Sequence, residues 1–258
     1  MVWDDVMRTF VVSDLYGDKE MYDIILSYLN DLEEDVLLIL NGNMIGKDGS
    51  FDILMDVISR KSDNIQIEYL GGNLELNLYQ RLSEGRLKNY LGDLKTYHLF
   101  PEGIFYRSFL VAHGDVPKDL LISSRIKDND SHVFDIVGRR MDIFDRNYST
   151  RQFMGAIGHH KYKNTSFFLI KGGVPIYNED GFFYNCYEHS LTIDGGCNYY
   201  MMGDITCDHV PLVELENGMI TILIFNHNGD IINCYKYDGK LYNSLDTAKV
   251  FSKELRNM

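Results

Sequence analysis

Within its first 75 residues the chain repeats one unit: a short apolar run, a polar turn containing glycine, and a stretch with helical periodicity. Thr9-Phe10-Val11-Val12 is the core of the first run, and Asp14 to Asp18 interrupts it. Met21, Ile24, Ile25, Tyr28, Leu29 and Leu32 then fall at i, i+3, i+4, i+7, i+8 and i+11, one face of a helix. Val36 to Leu40 is the second run, followed by Asn41-Gly42-Asn43. Ser50 is placed to cap a helix with Phe51, Leu54, Val57 and Ile58 on its inner face. Ile65 to Leu70 is the third run, ending at Gly71-Gly72-Asn73, and a helical stretch follows through Leu78 and Leu82. Runs that are apolar throughout and alternate with helices predict a parallel sheet covered on both faces. The carboxyl ends of its strands then share one rim, where such sheets bind ligands.

Two later runs end the same way. Phe109 to Ala112 leads into His113-Gly114, and Phe153 to Ile157 leads into Gly158-His159-His160. Between them, residues 115–155 are polar, helical in parts and rich in arginine, which predicts a cap or insertion over the rim. In the final third, Asn217-Gly218, Asn228-Gly229 and Asp238-Gly239 each separate short strand-like runs and predict hairpins. With 4 prolines and no low-complexity stretch, nothing marks a linker, so residues 1–258 are expected to form one domain.

The formal charge of −13 argues against broad electrostatic binding of nucleic acid, so no nucleic-acid partner is expected. No apolar run approaches the roughly 20 residues that cross a bilayer, and no membrane association is expected. The 4 cysteines form no CxxC pair and read as thiols in a reducing cytoplasm.

Asp14, Asn43, Asn73, His113 and His159 each follow a strand-like run and stand near a glycine. Glycine lets the backbone turn sharply and approach an ion or a phosphate. Singly, each has a structural reading: Asp14 as a helix cap, the asparagines as turn residues, the histidines as buried hydrogen-bonding groups. Lys171-Gly172-Gly173 lacks the spacing of a phosphate-binding loop and reads as a connecting loop.

Taken in order, these motifs resemble the calcineurin-like metallophosphoesterases, nearest to the serine/threonine protein phosphatases and diadenosine tetraphosphatases. The family pattern D-x-H-G, G-D-x-x-D-R-G, G-N-H-E, H-G and G-H corresponds to five segments. These are Asp14-Leu15-Tyr16-Gly17, Gly42-Asn43-Met44-Ile45-Gly46-Lys47, Gly72-Asn73-Leu74-Glu75, His113-Gly114 and Gly158-His159. Over about residues 8–226 the resemblance implies an α+β sandwich of four layers, α/β/β/α. It also implies a site where two metal ions clamp a phosphoryl group and generate a hydroxide nucleophile. Asp14, Asn43, Asn73, His113 and His159 are the implied metal ligands, and Lys47 stands at the phosphate-binding arginine.

Departures from the pattern fall on the groups that do the chemistry. Tyr16 replaces a ligand histidine, and Asn43 replaces the carboxylate that bridges the two ions. Adjacent dications repel, and a neutral amide supplies no charge to hold them together. Leu74 replaces the histidine that protonates the leaving group, Gly46 its orienting aspartate, and Lys47 loses bidentate phosphate recognition. Such an acid contributes about 10²–10⁴-fold. The expected protein is a catalytically impaired pseudophosphatase that binds a phosphorylated ligand or a protein partner. Its cofactor is one divalent transition metal (Mn, Fe or Zn) at Asn73, His113 and His159, or none. Two alternatives stay open: an active single-metal phosphoesterase on phosphoprotein or nucleotide substrates, and a structural subunit of an assembly.

Overall fold

A computed structural model describes residues 7–46, 49–61, 64–95, 97–100, 108–114, 167–173, 185–187, 190–203, 208–216, 219–237 and 241–243. The 115–155 insertion, the run at 153–157, Lys47 and His159 lie outside the described residues.

The repeating unit folds as its periodicity predicts. Strands β1 (Arg8–Val12), β2 (Val36–Asn41) and β3 (Ile65–Leu70) pair in parallel. Helices α1 (Lys19–Asn30), α2 (Asp52–Ser59), α3 (Asn73–Arg81) and α4 (Arg86–Gly92) fill the connections. Of the three glycine dipeptides, Asn228-Gly229 lies in a turn between paired strands, and Asn217-Gly218 and Asp238-Gly239 lie outside the described residues. β9 (Val210–Glu216), β10 (Met219–Phe225), β11 (Ile231–Tyr237) and β12 (Leu241–Asn243) form an antiparallel meander. β9 also pairs antiparallel with β1, giving one seven-stranded mixed sheet ordered β12-β11-β10-β9-β1-β2-β3.

A second sheet holds β4 (Tyr97–Phe100), β5 (Ser108–Ala112), β6 (Phe167–Lys171), β7 (Asn185–Tyr187) and β8 (Ser190–Thr192), ordered β4-β5-β6-β8-β7. Its centre, β5-β6-β8, is parallel, so the antiparallel character expected of the C-terminal third is confined to β7 and the β9–β12 meander. A short helix, α5 (Cys197–Met201), follows β8.

Strand parity divides the apolar residues between two cores. Phe10, Val12, Leu38 and Leu40 face the helices with Met21, Tyr22, Ile25 and Leu29. Val11 and Ile39 face the other way, into a layer with Phe109, Val111, Phe168, Ile170, Leu191 and Ile222. The two sheets therefore pack face to face. Leu110, Ala112 and Leu169, of opposite parity on the second sheet, are also fully buried. The fold is an α/β sandwich. Among the described residues no helix is long and apolar enough to cross a membrane.

One expectation fails locally. Phe51, not Ser50, is the residue before α2, and no side chain caps it. Leu54 is buried and Phe51 and Val57 pack against the core as the spacing predicts, whereas Ile53 takes the remaining buried position and Ile58 is 42% exposed.

Candidate functional site

The strand ends converge as the repeat requires. Register pairs Val12 with Leu40 and Leu40 with Tyr69, so the loops after β1, β2 and β3 leave from one edge. β5 brings His113 to the same place, where its Nδ1 lies 2.9 Å from the Asn41 carbonyl oxygen. Asp14, Asn43, Asn73 and His113 thus form one cluster, as the sequence predicts.

The loops reach this geometry through left-handed backbone. Asp14, Tyr16 and Asn43 have φ of 59°, 52° and 54°. For residues other than glycine this conformation costs about 1–2 kcal/mol each. Asn43 N–H and Gly72 N–H each donate to Glu75 Oε2 at 2.9 Å, and Met44 N–H donates to Oε1 at 2.9 Å. The Tyr69 hydroxyl donates to Oε1 at 2.7 Å. The buried Glu75 carboxylate therefore ties the loop after β2 to the start of α3.

Asp14 is fully buried, and its carboxylate accepts three hydrogen bonds. Ser13 Oγ donates to Oδ2 at 2.6 Å, Gly173 N–H donates to Oδ2 at 2.6 Å, and Asn43 Nδ2 donates to Oδ1 at 2.9 Å. Lys171-Gly172-Gly173 is thus more than a connecting loop: it forms a wall of the site. A Cβ on Gly172 would lie 1.8 Å from Ser13 Oγ and 2.3 Å from Asp14 Oδ2.

Asn43 fixes the character of the cluster. Its Oδ1 accepts from Leu74 N–H at 3.0 Å, which turns the amide nitrogen inward. Nδ2 then donates to Asp14 Oδ1 and, at 3.1 Å, to Asn73 Oδ1, and it lies 3.5 Å from the Tyr16 hydroxyl. The Asn41 carbonyl can only accept, so His113 Nδ1 carries a proton. His113 Nε2 faces Asn73 Oδ1 at 3.1 Å, and Nδ1 stands 3.8 Å from Asp14 Oδ2.

The donor set decides what the cluster can hold. A dinuclear centre needs an anionic oxygen between its ions, and the inward group here is an N–H donor. Asp14 has three of its roughly four acceptor positions filled. Tyr16 packs in the apolar core beside α1 and is 6% exposed. These residues do not fit a pair of dications. Asn73 Oδ1 and His113 Nε2 are close enough to share one ion, and both are neutral ligands. Among the described residues, no group of three or more His, Cys, Asp and Glu side chains is arranged to hold a metal ion.

Several contributors carried no signal of their own in the sequence. Ser13 and Gly173 act through Asp14. Asn41 is fully buried; its Nδ2 donates to the Ala112 carbonyl at 3.2 Å, and its backbone oxygen lies 2.8 Å from Ser13 Oγ. Glu75 was legible only as the last residue of a motif. Beyond this cluster, the isolated bridge of Ser13 with Asp194 joins the two sheets at the rim.

No protein-family profile matches the chain, and no curated protein matches it. Among solved structures it is similar to a serine/threonine phosphatase from Saccharomyces cerevisiae that has similarity to a human phosphatase. The identity is 13% and the TM-score 0.47, over 82% of this chain and 73% of that one. It is similar to a protein assigned as a diadenosine tetraphosphatase, at 12% identity and TM-score 0.46, over 93% of this chain and 94% of that one. A Streptococcus pneumoniae protein classed as a phosphoesterase has 10% identity and a TM-score of 0.33, over 92% of this chain and 97% of that one. The chemistry of the site is read from its own side chains.

Proposed function

We propose that this chain is a metallophosphoesterase-like protein of a reducing compartment whose former catalytic rim has become a binding surface for a phosphorylated ligand or a protein partner. The observation that carries this reading is Asn43 Nδ2, held between Asp14 Oδ1 and Asn73 Oδ1. A donor stands where hydrolysis by two metal ions calls for an anionic acceptor. Leu74, at the position of the leaving-group acid, supplies no proton. Three left-handed loop residues persist around the cluster, as expected of a rim whose geometry still serves recognition. Met201 and Met202, 49% and 76% exposed at the end of α5, offer a protein partner apolar contact.

The test is hydrolysis of a generic phosphomonoester by purified protein, with and without Mn²⁺. No turnover above background is expected. Robust metal-dependent turnover that is lost in His113→Ala would overturn the reading.

A second reading rests on the His113 tautomer. With Nδ1–H donated to Asn41, His113 Nε2 faces Asn73 Oδ1, and a ring without a proton on that nitrogen would set its lone pair against the amide oxygen. Two facing acceptors favour a cation at that edge, and a single metal ion completed by His159 would satisfy them. Near-stoichiometric metal in the purified protein would favour this single-metal phosphoesterase.

A further inference from the structure

The rim carries a second polar assembly that the proposed function does not use. His227, in the turn between β10 and β11, lies between two carboxylates. Its Nε2 is 2.6 Å from Asp18 Oδ2, and its Nδ1 is 2.5 Å from Asp208 Oδ1. Tyr200 of α5 stacks on the ring, with centroids 3.7 Å apart and planes 16° from parallel. Asp208 Oδ1 also accepts the His227 backbone N–H at 2.9 Å, and Asp18 Oδ1 caps α1 by accepting Met21 N–H at 3.0 Å. Asp18 and His227 are 209 residues apart in the chain, and both are buried.

Ionised carboxylates only accept, so both ring nitrogens are satisfied only when both carry protons. A neutral ring would leave one lone pair against a carboxylate oxygen. We propose that protonated His227 is a pH-sensitive latch that clamps the β10–β11 turn, residue 208 and α5 onto the first turn of α1. The latch thereby fixes the left-handed loop 14–17 that immediately precedes Asp18 and carries Asp14 and Tyr16. The consequence for ligand binding rests on the function proposed above; the latch itself does not.

The surrounding groups leave His227 as the titrating member. Burial opposes its charge, but hydrogen bonds and attraction from Asp18 and Asp208 outweigh burial and hold its pKa above the ordinary value. His209, beside Asp208, is pushed down to about 4 by burial and stays neutral at higher pH. Burial, with Asp18, Asp194 and Asp14, keeps the Cys197 thiol protonated. Loss of solvent, with the charges of Asp208, Glu20 and Asp18, raises the Tyr200 pKa and keeps it a neutral phenol. Because the folded-state pKa of His227 is raised, its stabilisation is complete below the unfolded value of about 6.5 and is lost as pH rises through the folded value.

Amide hydrogen exchange of the full chain between about pH 6 and pH 9, expressed as protection factors, tests this together with NMR titration of the His227 ring. Protection at 226–230 and at 18–22 is expected to fall together with rising pH. The fall should approach tenfold for each unit by which the ring pKa exceeds its unfolded value. His227→Gln should flatten the profile. Asp208→Asn, at a partly exposed position and so a safer variant to fold, should lower the ring pKa and shrink the change. Titration of the ring at or below about 6.5, or loss of protection confined to 226–230 while the start of α1 is unchanged, would overturn the latch. So would a wild-type pH profile in His227→Gln. None of these readouts depends on whether the rim hydrolyses phosphoesters.

Discussion

At the scale of single residues, Asn43 decides what the rim can attract, because its inward amide donates where a carboxylate would accept. The amide donates to two oxygens that would otherwise crowd one another, and so does without charge what a cation would do with it. Asn43→Asp keeps the shape and reverses this. It places a second carboxylate about 2.9 Å from Asp14 Oδ1 and leaves Asn73 Oδ1 without that donor. The variant should lose about 3 kcal/mol or more of stability. Millimolar Mn²⁺ or Zn²⁺ should then raise its melting temperature, and differential scanning fluorimetry with and without metal reads both effects. The wild-type melting temperature should stay fixed; a rise there would favour the single-metal reading. Glu75 is the other residue on which the cluster depends. Glu75→Gln turns an amide donor toward the backbone N–H groups of Asn43, Met44 or Gly72, which the carboxylate accepts. Urea denaturation should show a loss of about 1–3 kcal/mol for each donor left unpaired. Asp14, Asn43, Asn73 and His113 were legible in the sequence because each stands near a glycine at a strand end. Gly173 was not, because its bond to Asp14 spans 159 residues and exists only once two sheets have packed.

Among the elements, the hairpins and the β–α units were the most readable, since periodicity and Asn-Gly or Asp-Gly dipeptides are local signals. Ends governed by tertiary contact were not. α2 begins without the serine cap that its sequence invites, and Lys171-Gly172-Gly173 looks like any connecting loop until Ser13 is seen against it. That contact makes a sharp prediction. Gly172→Ala would set a methyl carbon 1.8 Å from Ser13 Oγ, so the end of β6 must move away from β1 or Asp14 must give up its hydrogen bonds. Destabilisation of several kcal/mol is expected from an overpacked, polar site. Gly49→Ala, at a turn with no atom within 4 Å but with φ of 89°, is the control for backbone strain alone. It should cost only about 1–2 kcal/mol by chemical denaturation. Comparable losses in the two variants would mean that Gly172 is not pressed on the site.

For the molecule as a whole, the pairing of β1 with β9 joins the parallel and antiparallel halves, and its two ends are held by different chemistry. At the rim end stand the buried Asp14 cluster and the bridge of Ser13 with Asp194. At the opposite end Arg8 reaches both Glu34 and Glu214, with Nη2 2.6 Å from Glu214 Oε1. Burial raises the pKa of Glu214 even though Arg8 pulls against it. Glu34 is exposed and contributes little, so the Arg8–Glu214 pair carries this end. Replacing Arg8 by Met removes the countercharge from a buried acid, and the Glu214 pKa should rise further. An acid with a raised folded-state pKa stabilises the fold fully below the unfolded value of about 4.3 and loses that contribution as pH climbs through the folded value. Arg8→Met should therefore be nearly as stable as wild type near pH 4 and fall behind by about 3 kcal/mol at pH 7. Denaturation midpoints across that range measure the gap. A constant gap at every pH would assign the role of Arg8 to packing over Phe10, whose ring centroid lies 5.3 Å from the guanidinium carbon, rather than to charge.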